Sequence, residues 1–300
     1  MNGSHNLGAA IEWRPHLASV VVPTRNRPEG LGAQLGALSR QTYAGAWEVV
    51  VADNSSTDGT VEVARRWAND VPQIRVVTAS PGRGVAYARN VGAAAARGDF
   101  LAFCDDDDLV CPHWLDALVE AARHAHLVGG RTERVTTTVG SVQPCSPATP
   151  DQGLPRTFFL PYALGGTSGI RADVFRTLGG WSERNAYGGE DVDLSWRAQL
   201  SGYTLDFAPE AVIRCPRRGP EASFRRFYLF GRAEAGLYAR FRDRGAPRPR
   251  LPAMLRGWAW LVLHLPDLAA SPERRMHWVR TAALRCGRLV GGVRNGVLYI

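Results

Sequence analysis

The chain has 300 residues, of which 45% are hydrophobic, so it can bury a sizeable core and is not a disordered protein. Its net charge is +8, and arginine supplies all of the Lys plus Arg total because lysine is absent. Residues 214–300 contain 18 arginines against 5 acidic residues, whereas residues 1–213 are net negative. We therefore expect the basic part either to meet an anionic partner or to form a solvated arginine face.

The cysteine pattern bears on the compartment of the protein. There are five cysteines, with no C-x-x-C spacing, so neither a disulfide framework nor a zinc knuckle is indicated. The longest apolar run lies within RGWAWLVLHLPDL and is far shorter than the ~20 residues of a membrane-spanning helix. No signal-peptide pattern is seen. We expect a cytoplasmic protein, with peripheral attachment at the inner face of the membrane as an alternative.

Secondary-structure patterns begin after a polar, irregular stretch, residues 1–15, which is expected to be a flexible lead-in. From there, short valine-rich runs alternate with helical patterns. This alternation predicts βαβ units, with a mostly parallel sheet and helices on both faces. The predicted strands are LASVVVP, WEVVVAD, IRVVTA and FLAFC, and the helical patterns between them are PEGLGAQLGALSRQ, TDGTVEVARRWAND and VAYARNVGAAAARG.

Each predicted strand is followed by a polar segment: PTRNRP, ADNSSTDGT, SPGRG and DDDD. Ligands bind at the carboxyl ends of strands in such sheets, so these segments should converge on one cleft. Four adjacent carboxylates repel one another unless a cation or hydrogen-bond donors lie among them. The four aspartates therefore indicate a cation site, the alternative being an acidic turn that caps the next helix.

The second half of the chain contains further helical patterns and a second acidic cluster. CPHWLDALVEAARHAH, RADVFRTLG and EDVDLSWRAQLSG are predicted to be helices, and GGED begins the last of them. We expect a catalytic domain over residues 16–215, with a nucleotide-binding half, 16–110, and an acceptor half, 111–215. A basic helical region, 216–300, follows it.

Four segments, in this order and spacing, resemble the inverting family 2 glycosyltransferases with a GT-A fold: VVPTRN, VVVADNSSTDGT, GRGVAYARNVGAAAARGDFLAFCDDDD and LGGWSERNAYGGEDVDLSWRAQLSGY. The resemblance covers roughly residues 17–215 and depends on the joint pattern. It implies an α/β enzyme with a Rossmann-like central sheet. It also implies inverting transfer of a sugar from a nucleoside-diphosphate sugar, with a UDP-sugar as the expected donor, to an acceptor hydroxyl.

By this resemblance, the aspartate run corresponds to the D-x-D region of the family, which binds Mn²⁺ or Mg²⁺ together with the diphosphate. We expect Asp107 and Asp105 to bind the metal and Asp108 to lie outside the ligand set, although the register can shift by one. The residues implied to bind the nucleotide are Pro23, Thr24, Arg25, Asp53, Asn54, Arg83, Asp105 and Asp106.

Inversion requires a general base on the face of the sugar opposite the leaving group. The resemblance gives this role to Asp191, with Glu190 orienting the acceptor. Trp181, Tyr187 and Gly189 are expected to bind the acceptor, and Trp181 is equally compatible with a core position. A helix N-terminus would lower the pKa of Asp191, whereas neighbouring carboxylates would raise it, and the sequence leaves this open.

Two features depart from the family pattern. Arg214 stands where many members have a histidine that binds the metal, and arginine cannot bind a cation, so it or Arg217 is expected to contact the diphosphate instead. The Q-x-x-R-W motif that accompanies processive synthesis is missing, which favours a single transfer per acceptor.

Other interpretations stay open. One is a nucleotidyl-transfer or nucleotide-sugar enzyme on a related fold, and another is a non-catalytic nucleotide-sugar-binding module. A lipid-linked molecule and a small natural product are both expected acceptor classes, whereas nucleic acid is not an expected partner. The aromatic and arginine-rich tail predicts either helices at a membrane interface or helices that pack on the catalytic domain or on a second subunit in a homodimer.

Overall fold

The computed structural model describes residues 13–135, 153–184, 188–216 and 223–300. The strands are β1 Ala18–Thr24, β2 Trp47–Asp53, β3 Ile74–Thr78, β4 Phe100–Cys104, β5 Leu109–Val110, β6 Leu127–Val135, β7 Thr167–Arg171 and β8 Leu205–Pro216. The α-helices are α1 Pro28–Leu38, α2 Thr60–Asp70, α3 Val85–Ala95, α4 Trp114–Ala122, α5 Ala172–Thr177, α6 Glu190–Leu200, α7 Ser223–Phe241, α8 Leu251–Leu263 and α9 Pro272–Arg294. Short 3₁₀ helices cover Arg242–Arg244 and Leu265–Ala269.

The strands form one mixed sheet in the order β3-β2-β1-β4-β7-β6-β8-β5. The β1 strand pairs in parallel with β2 and β4, and β2 pairs in parallel with β3, as the alternating pattern predicted. The β7 strand is antiparallel to both β4 and β6 and was not predicted. Its sequence, TSGIR, has little apolar pattern, because Gly169 lies so close to Phe100 that a Cβ atom would be 2.2 Å from Cζ of that ring.

Helices cover both faces of the sheet. Since side chains alternate along a strand, Val20 and Val22 pack with Leu31 of α1 on one face. Val21 points to the other face, where it packs with Ala86 of α3. Both faces of β1 are therefore buried, as expected for a strand in the centre of an α/β sheet.

The parallel register places the loop-bearing ends of the strands at one edge. Thr24 at the end of β1 is paired with Asp53 at the end of β2, and Asp53 is paired in turn with Thr78 at the end of β3. The aspartate run follows directly after Cys104, the last residue of β4. The first, second and fourth polar segments therefore converge, as the sequence predicted.

The α7 helix packs on the catalytic part of the chain. The fully buried ring of Trp196 on α6 lies edge-on to Phe241 of α7, with 5.3 Å between ring centroids. Asp193, also fully buried, accepts a hydrogen bond of 2.7 Å from Arg197 and another from Arg240 of α7. The expectation that the tail packs against the catalytic domain therefore holds for α7.

Three further findings concern the N-terminal stretch, the cysteines and the membrane-crossing potential of the helices. Trp13, in the expected lead-in, packs on Phe100 with 6.0 Å between ring centroids, and residues 1–12 lie outside the described part. Cys111 forms a disulfide bond, although the cysteine spacing indicated no disulfide framework, and Cys104, Cys215 and Cys286 are free. Among the described residues, no helix combines the length and hydropathy that a membrane crossing requires.

The α7 and α9 helices cross at close range through glycine. A Cβ atom on Gly287 of α9 would lie 2.0 Å from the carbonyl oxygen of Tyr228 on α7. A Cβ atom on Gly231 of α7 would lie 2.0 Å from the carbonyl oxygen of Leu284 on α9. Backbone therefore lies against backbone at this crossing, and a side chain could be added only by moving the helices apart.

We predict that Gly287→Ala lowers the free energy of unfolding by about 1–3 kcal/mol, because overpacking a rigid contact forces backbone shifts. The control is Gly32→Ala on α1, where the new Cβ would lie 3.6 Å from Val63, an ordinary contact. That change should be neutral or stabilise by up to about 1 kcal/mol, since alanine favours helix. Urea denaturation of both variants measures the difference, and equal stability of Gly287→Ala and the parent would contradict the close crossing.

Candidate active site

A cleft of about 390 Å³ opens where the loops after β1, β2 and β4 meet. It is lined by six of the eight residues expected to bind the nucleotide, and Asp107 and Glu190 also line it. The six are Pro23, Thr24, Arg25, Asn54, Asp105 and Asp106. The aspartate run and Glu190, some 80 residues apart in sequence, thus face one space.

Hydrogen-bond donors separate the charges of the aspartate run. Asp106 accepts a hydrogen bond of 2.7 Å from the Thr24 hydroxyl, and Asp107 accepts one of 2.9 Å from the guanidinium of Arg27. The Arg27 Nε atom also lies 3.5 Å from Asp106. Burial nevertheless raises the pKa of Asp106 to about 6, although Thr24 and Arg27 both favour its ionised form.

A buried amide fixes both ends of the aspartate run. Gln34 of α1 is fully buried and donates to the carbonyl oxygen of Asp105 at 3.1 Å. Its side-chain oxygen accepts from the backbone N–H of Val110, also at 3.1 Å. The run is therefore held as a defined loop between β4 and β5, and its shape does not depend on charge pairing alone.

Three of the four carboxylates form a possible metal-binding group. Asp105, Asp107 and Asp108 each offer an oxygen, and these oxygens lie within 4.8 Å of one another. Asp106 turns instead to Thr24, and Asp108, which the sequence analysis left outside the ligand set, joins the group. An all-carboxylate set suits Mg²⁺ or Mn²⁺, which prefer hard oxygen ligands. The residues present therefore fit the divalent cation that the resemblance implies.

Arg89 of α3 joins the two acidic clusters. Its Nη2 atom donates to Asp105 at 2.6 Å, and its Nη1 atom donates to Glu190 at 3.3 Å. The Arg89 side chain is only 3% exposed. Burial alone would lower its pKa, but the charges of Asp105 and Glu190 outweigh burial and raise the pKa. A permanently charged guanidinium thus links the aspartate run to the first turn of α6.

The surroundings of Arg89 are shaped to hold it. The guanidinium carbon lies 4.9 Å from the ring centroid of Trp181, in the arrangement of a cation–π contact. Gly165 leaves room for it, since a Cβ atom there would lie 2.7 Å from Nη1 of Arg89. Gly166 does the same for Asp105, whose Oδ2 atom would lie 2.8 Å from an added Cβ. Both glycines of the GGTS segment are therefore required by the bridge.

The position of Trp181 differs from its expected role in acceptor binding. The residue is 3% exposed and lies edge-on to Phe103, with 5.0 Å between ring centroids. A ring enclosed in this way has no face free to stack on a sugar, so the core alternative is the correct one. Trp181 contacts the site through the guanidinium of Arg89.

Sequence reasoning missed Arg89, although a signal was present. Arg89 shares the buried side of α3 with Ala86 and Ala93, at spacings of three and four residues. An arginine within a buried helical stripe requires a partner, because burying an unpaired charge is costly. Gln34 in the buried stripe of α1, also missed, gives the same signal.

The expected base, Asp191, lies in the first turn of α6 and is half-buried. One carboxylate oxygen accepts from the N–H of Val192 at 2.8 Å, and the other lies 3.5 Å from the N–H of Gly165. Burial, and after it the charge of Glu190, raises the pKa of Asp191 to about 6. Burial is thus the largest effect on this pKa, and it adds to the like-charge effect of Glu190 that the sequence analysis considered. Glu190 lines the cleft, and Asp191 lies beside it against the GGTS segment.

Gly189 provides the turn that precedes α6. It is the N-cap residue, with a φ of 81° in the left-handed region that favours glycine. The N–H of Asp193 donates to its carbonyl oxygen at 2.9 Å. Its role is therefore to begin the helix, and its expected contact with the acceptor stays a prediction. Tyr187 lies outside the described residues.

Asn54 shapes the loop after β3. Its amide nitrogen donates to the carbonyl oxygens of Ala79 and Gly82 at 2.7 and 2.8 Å, and its oxygen accepts from the N–H of Gly84 at 3.0 Å. Arg83, on the same loop, is exposed and does not appear in the lining of the cleft. Asn54 thus lines the cleft, and its side-chain amide is already hydrogen-bonded to the backbone of the neighbouring loop.

Asp53 and Arg214 have partners in the protein. Asp53 is buried and accepts the N–H of Ser56 at 3.3 Å, so it supports the turn after β2. The Arg214 Nε atom lies 3.8 Å from Glu133, and Arg214 is not among the residues that line the cleft. Its expected contact with a diphosphate therefore stays a prediction, and Arg217 lies outside the described residues.

Comparison with known families identifies the chain. A family model described as Glycosyl transferase family 2 matches residues 19–179, which is more than half of the chain. The chain belongs to this family. The matched range contains the aspartate run and Arg89 but ends before the GGED cluster. The resemblance found in the sequence is thereby confirmed, and so is the expectation of a glycosyltransferase.

Curated relatives are similar over part of their length. Glycosyltransferase AglE from Haloferax volcanii is 29% identical over 204 residues, which cover 67% of each chain. Across the relatives, the matched part ranges from 23% to 77% of the other protein. The similarity therefore supports membership of the family, but it does not identify the substrate of this family 2 member.

Solved structures of similar fold support the GT-A prediction. Mannosyltransferase PcManGT from Pyrobaculum calidifontis, in complex with GDP-Man and Mn²⁺, has a TM-score of 0.64 at 21% identity and covers 93% of this chain and 87% of its own. TarS 1-349 from S. aureus, in complex with UDP-GlcNAc, has a TM-score of 0.53 at 19% identity, with 94% and 93% covered. At these identities the likeness shows the fold alone, and it confirms the expected GT-A architecture of the family 2 chain.

We predict that Arg89→Met lowers the free energy of unfolding by about 3 kcal/mol, because it leaves the Asp105 and Glu190 carboxylates without their shared cation. The matched control is Arg83→Met, an exposed arginine on a neighbouring loop, which should change stability by less than about 0.5 kcal/mol. Urea denaturation of both variants gives the comparison. Equal stability of the two would show that the bridge adds nothing.

Proposed function

We propose that the protein transfers one sugar from a nucleoside-diphosphate sugar to an acceptor hydroxyl with inversion at the anomeric carbon. The observation that carries the proposal is the Arg89 bridge, which sets a carboxylate cluster for the donor beside a carboxylate pair for the acceptor. An inverting transfer requires both, since charge develops on the leaving diphosphate while a proton leaves the attacking hydroxyl. The bridge and the family 2 match support the same reaction.

On the donor side, we assign Asp105 and Asp107, now with Asp108, as ligands of Mn²⁺ or Mg²⁺. When bound, such a cation neutralises the charge that grows on the departing diphosphate. Thr24 holds Asp106 at the rim of the same space, and Arg27 lies beside it to attract phosphate oxygens. We propose a UDP-sugar as the donor. GDP remains a necessary comparison, because the structure of PcManGT was determined with GDP-Man.

On the acceptor side, we assign Asp191 as the general base and Glu190 as the residue that orients the acceptor. A pKa of about 6 suits this task, because the carboxylate is ionised at neutral pH and more basic than an ordinary aspartate. The single hydrogen bond of Glu190 to Arg89 leaves its Oε2 atom buried without a protein partner. Glu190 lines the cleft, and an acceptor hydroxyl bound beside it would satisfy that oxygen.

The remaining assignments follow from this division. We propose that residues 16–110 bind the nucleotide and that residues 111–215 bind the acceptor, a lipid-linked molecule or a small natural product. We propose a non-processive enzyme in the cytoplasm, and the surface that would hold it at the inner face of the membrane is on α8. A nucleotidyl-transfer enzyme would have no use for Asp191, because that reaction needs no base opposite the sugar.

The first experiment is calorimetric titration with UDP, GDP, dTDP and CDP, each with and without Mn²⁺. We expect one nucleotide to bind, and Asp107→Asn to weaken the metal-dependent part by roughly tenfold or more, since a metal ligand is lost. Asp116→Asn, an exposed aspartate on α4, is the control and should bind as the parent does. Binding that does not require Mn²⁺ would indicate that Arg27 and its neighbours, and not a metal ion, bind the phosphate groups. Binding of no nucleotide would refute the donor assignment.

The second experiment tests the base. Asp191→Asn should lower turnover by about a thousandfold while nucleotide affinity is kept, since the loss is confined to proton transfer. For the parent, kcat/KM should fall below pH of about 6, because protonated Asp191 cannot accept a proton. Release of nucleoside diphosphate measures both.

The control for the pH profile is Asp106→Asn, because burial raises the pKa of Asp106 to about 6 as well. This variant keeps an acceptor for the Thr24 hydroxyl, so the loop should be retained. If the fall in kcat/KM disappears in Asp106→Asn, the profile belongs to Asp106. If Asp191→Asn turns over as fast as the parent, Asp191 is not the base.

A further inference from the structure

The α8 helix exposes an apolar face that the activity does not require. Leu251, Leu255, Val262 and Leu263 are all exposed, and Leu263 is 76% exposed. The opposite side of α8 carries the buried residues Met254 and Leu261. A helix that is apolar on both sides is expected inside a protein or at a lipid boundary, and one side of α8 has no cover within the described residues.

The exposed side chains lie on one continuous face. Leu251, Leu255 and Ala259 follow one another at intervals of four residues, and Val262 and Leu263 extend the same row one turn further. The following 3₁₀ helix adds the exposed Leu265 and Leu268. We call this set the α8 face, made of Leu251, Leu255, Ala259, Val262, Leu263, Leu265 and Leu268.

This clustering is unusual for the chain. Thirteen large hydrophobic residues are exposed in the described part, and six of them belong to the α8 face. Single exposed apolar residues are common on soluble proteins, whereas a contiguous patch marks an interaction surface. The six lie within eighteen consecutive residues, so their grouping is a property of this one segment.

Arginines flank the α8 face. Between residues 248 and 275 there are five arginines and two acidic residues, and all five arginines are exposed. They stand just before α8, on it, and just after the 3₁₀ helix. The five are Arg248, Arg250, Arg256, Arg274 and Arg275. An apolar strip bordered by cations matches a surface that is apolar within and anionic at its boundary.

We propose that the α8 face docks the protein onto an anionic phospholipid bilayer, with α8 lying in the plane of the interface. Its 13 residues span about 20 Å, so it cannot cross the hydrocarbon core of about 30 Å. Trp258 and Trp260 are half-buried on the same helix, as aromatic side chains at headgroup depth often are. The inference does not depend on the transferase activity, since none of these residues lines the cleft.

A second copy of the chain is the competing occupant, and charge argues against it. A symmetric dimer through the α8 face would bring the arginine border of one protomer against that of the other. Like charges held together at the rim of an interface oppose association, whereas an anionic bilayer attracts the same border. The surface is therefore better matched to lipid than to itself.

The test is co-sedimentation of the full chain with vesicles of phosphatidylcholine alone and with phosphatidylglycerol added. We expect binding only when phosphatidylglycerol is present and weaker binding at high salt. Leu263→Asp should reduce the affinity by about tenfold or more, because it places a charge in the apolar strip and repels the lipid. Val293→Asp on α9 is the matched control, since Val293 is 77% exposed but lies outside the α8 face.

Circular dichroism of both variants checks that they fold, and light scattering gives the oligomeric state of the parent and of Leu263→Asp. The proposal would be overturned if the parent protein did not bind anionic vesicles. It would also be overturned if Leu263→Asp bound them as well as Val293→Asp does. A parent dimer that Leu263→Asp converts to a monomer, without vesicle binding, would assign the α8 face to a second copy. Calorimetric nucleotide binding in the same samples tests the transferase separately.

Discussion

The ion bridge of Arg89 is the constraint on which the cleft depends. Without a cation between them, the carboxylates of Asp105 and Glu190 would repel at short range in a place where water screens them poorly. One buried guanidinium offsets both charges, and they in turn offset the desolvation of Arg89. Asp105, Arg89 and Glu190 therefore form one electrostatic unit, although Glu190 comes from a distant part of the sequence.

The first turn of α6 is anchored on two sides, and the Arg89 bridge is one of the two anchors. Glu190 faces Arg89 on the cleft side, whereas Asp193 is fully buried between Arg197 and Arg240 on the side of α7. Asp191 lies between these two anchors in the same helical turn, and its carboxylate accepts a hydrogen bond from the N–H of Val192. The tail of the chain thus contributes to the placement of the proposed base without contacting the cleft.

Much of the architecture was predictable from sequence, because the first four strands and their helices each form a regular period with clear ends. The β7 strand was missed because its contact with Phe100 requires glycine, which removes the apolar pattern. Arg89 was missed for another reason. A lone arginine in a helix usually reaches solvent, and only the partners supplied by Asp105 and Glu190, across the fold, explain its burial. Trp181 was open to two roles until its enclosure was known.

The tail shows why composition alone could not decide between packing and interface. Packing is observed for α7 and α9, and the proposed interface belongs to α8. In α7 and α9, glycines such as Gly231 and Gly287 bring the backbones into contact, so the two helices pack on each other, although Val293 of α9 stays exposed. The α8 helix is richer in leucine and tryptophan than either of them, yet Leu255 and Leu263 point away from the other described residues. Whether an apolar residue is buried depends on what lies opposite it, and the sequence of one helix does not contain that information.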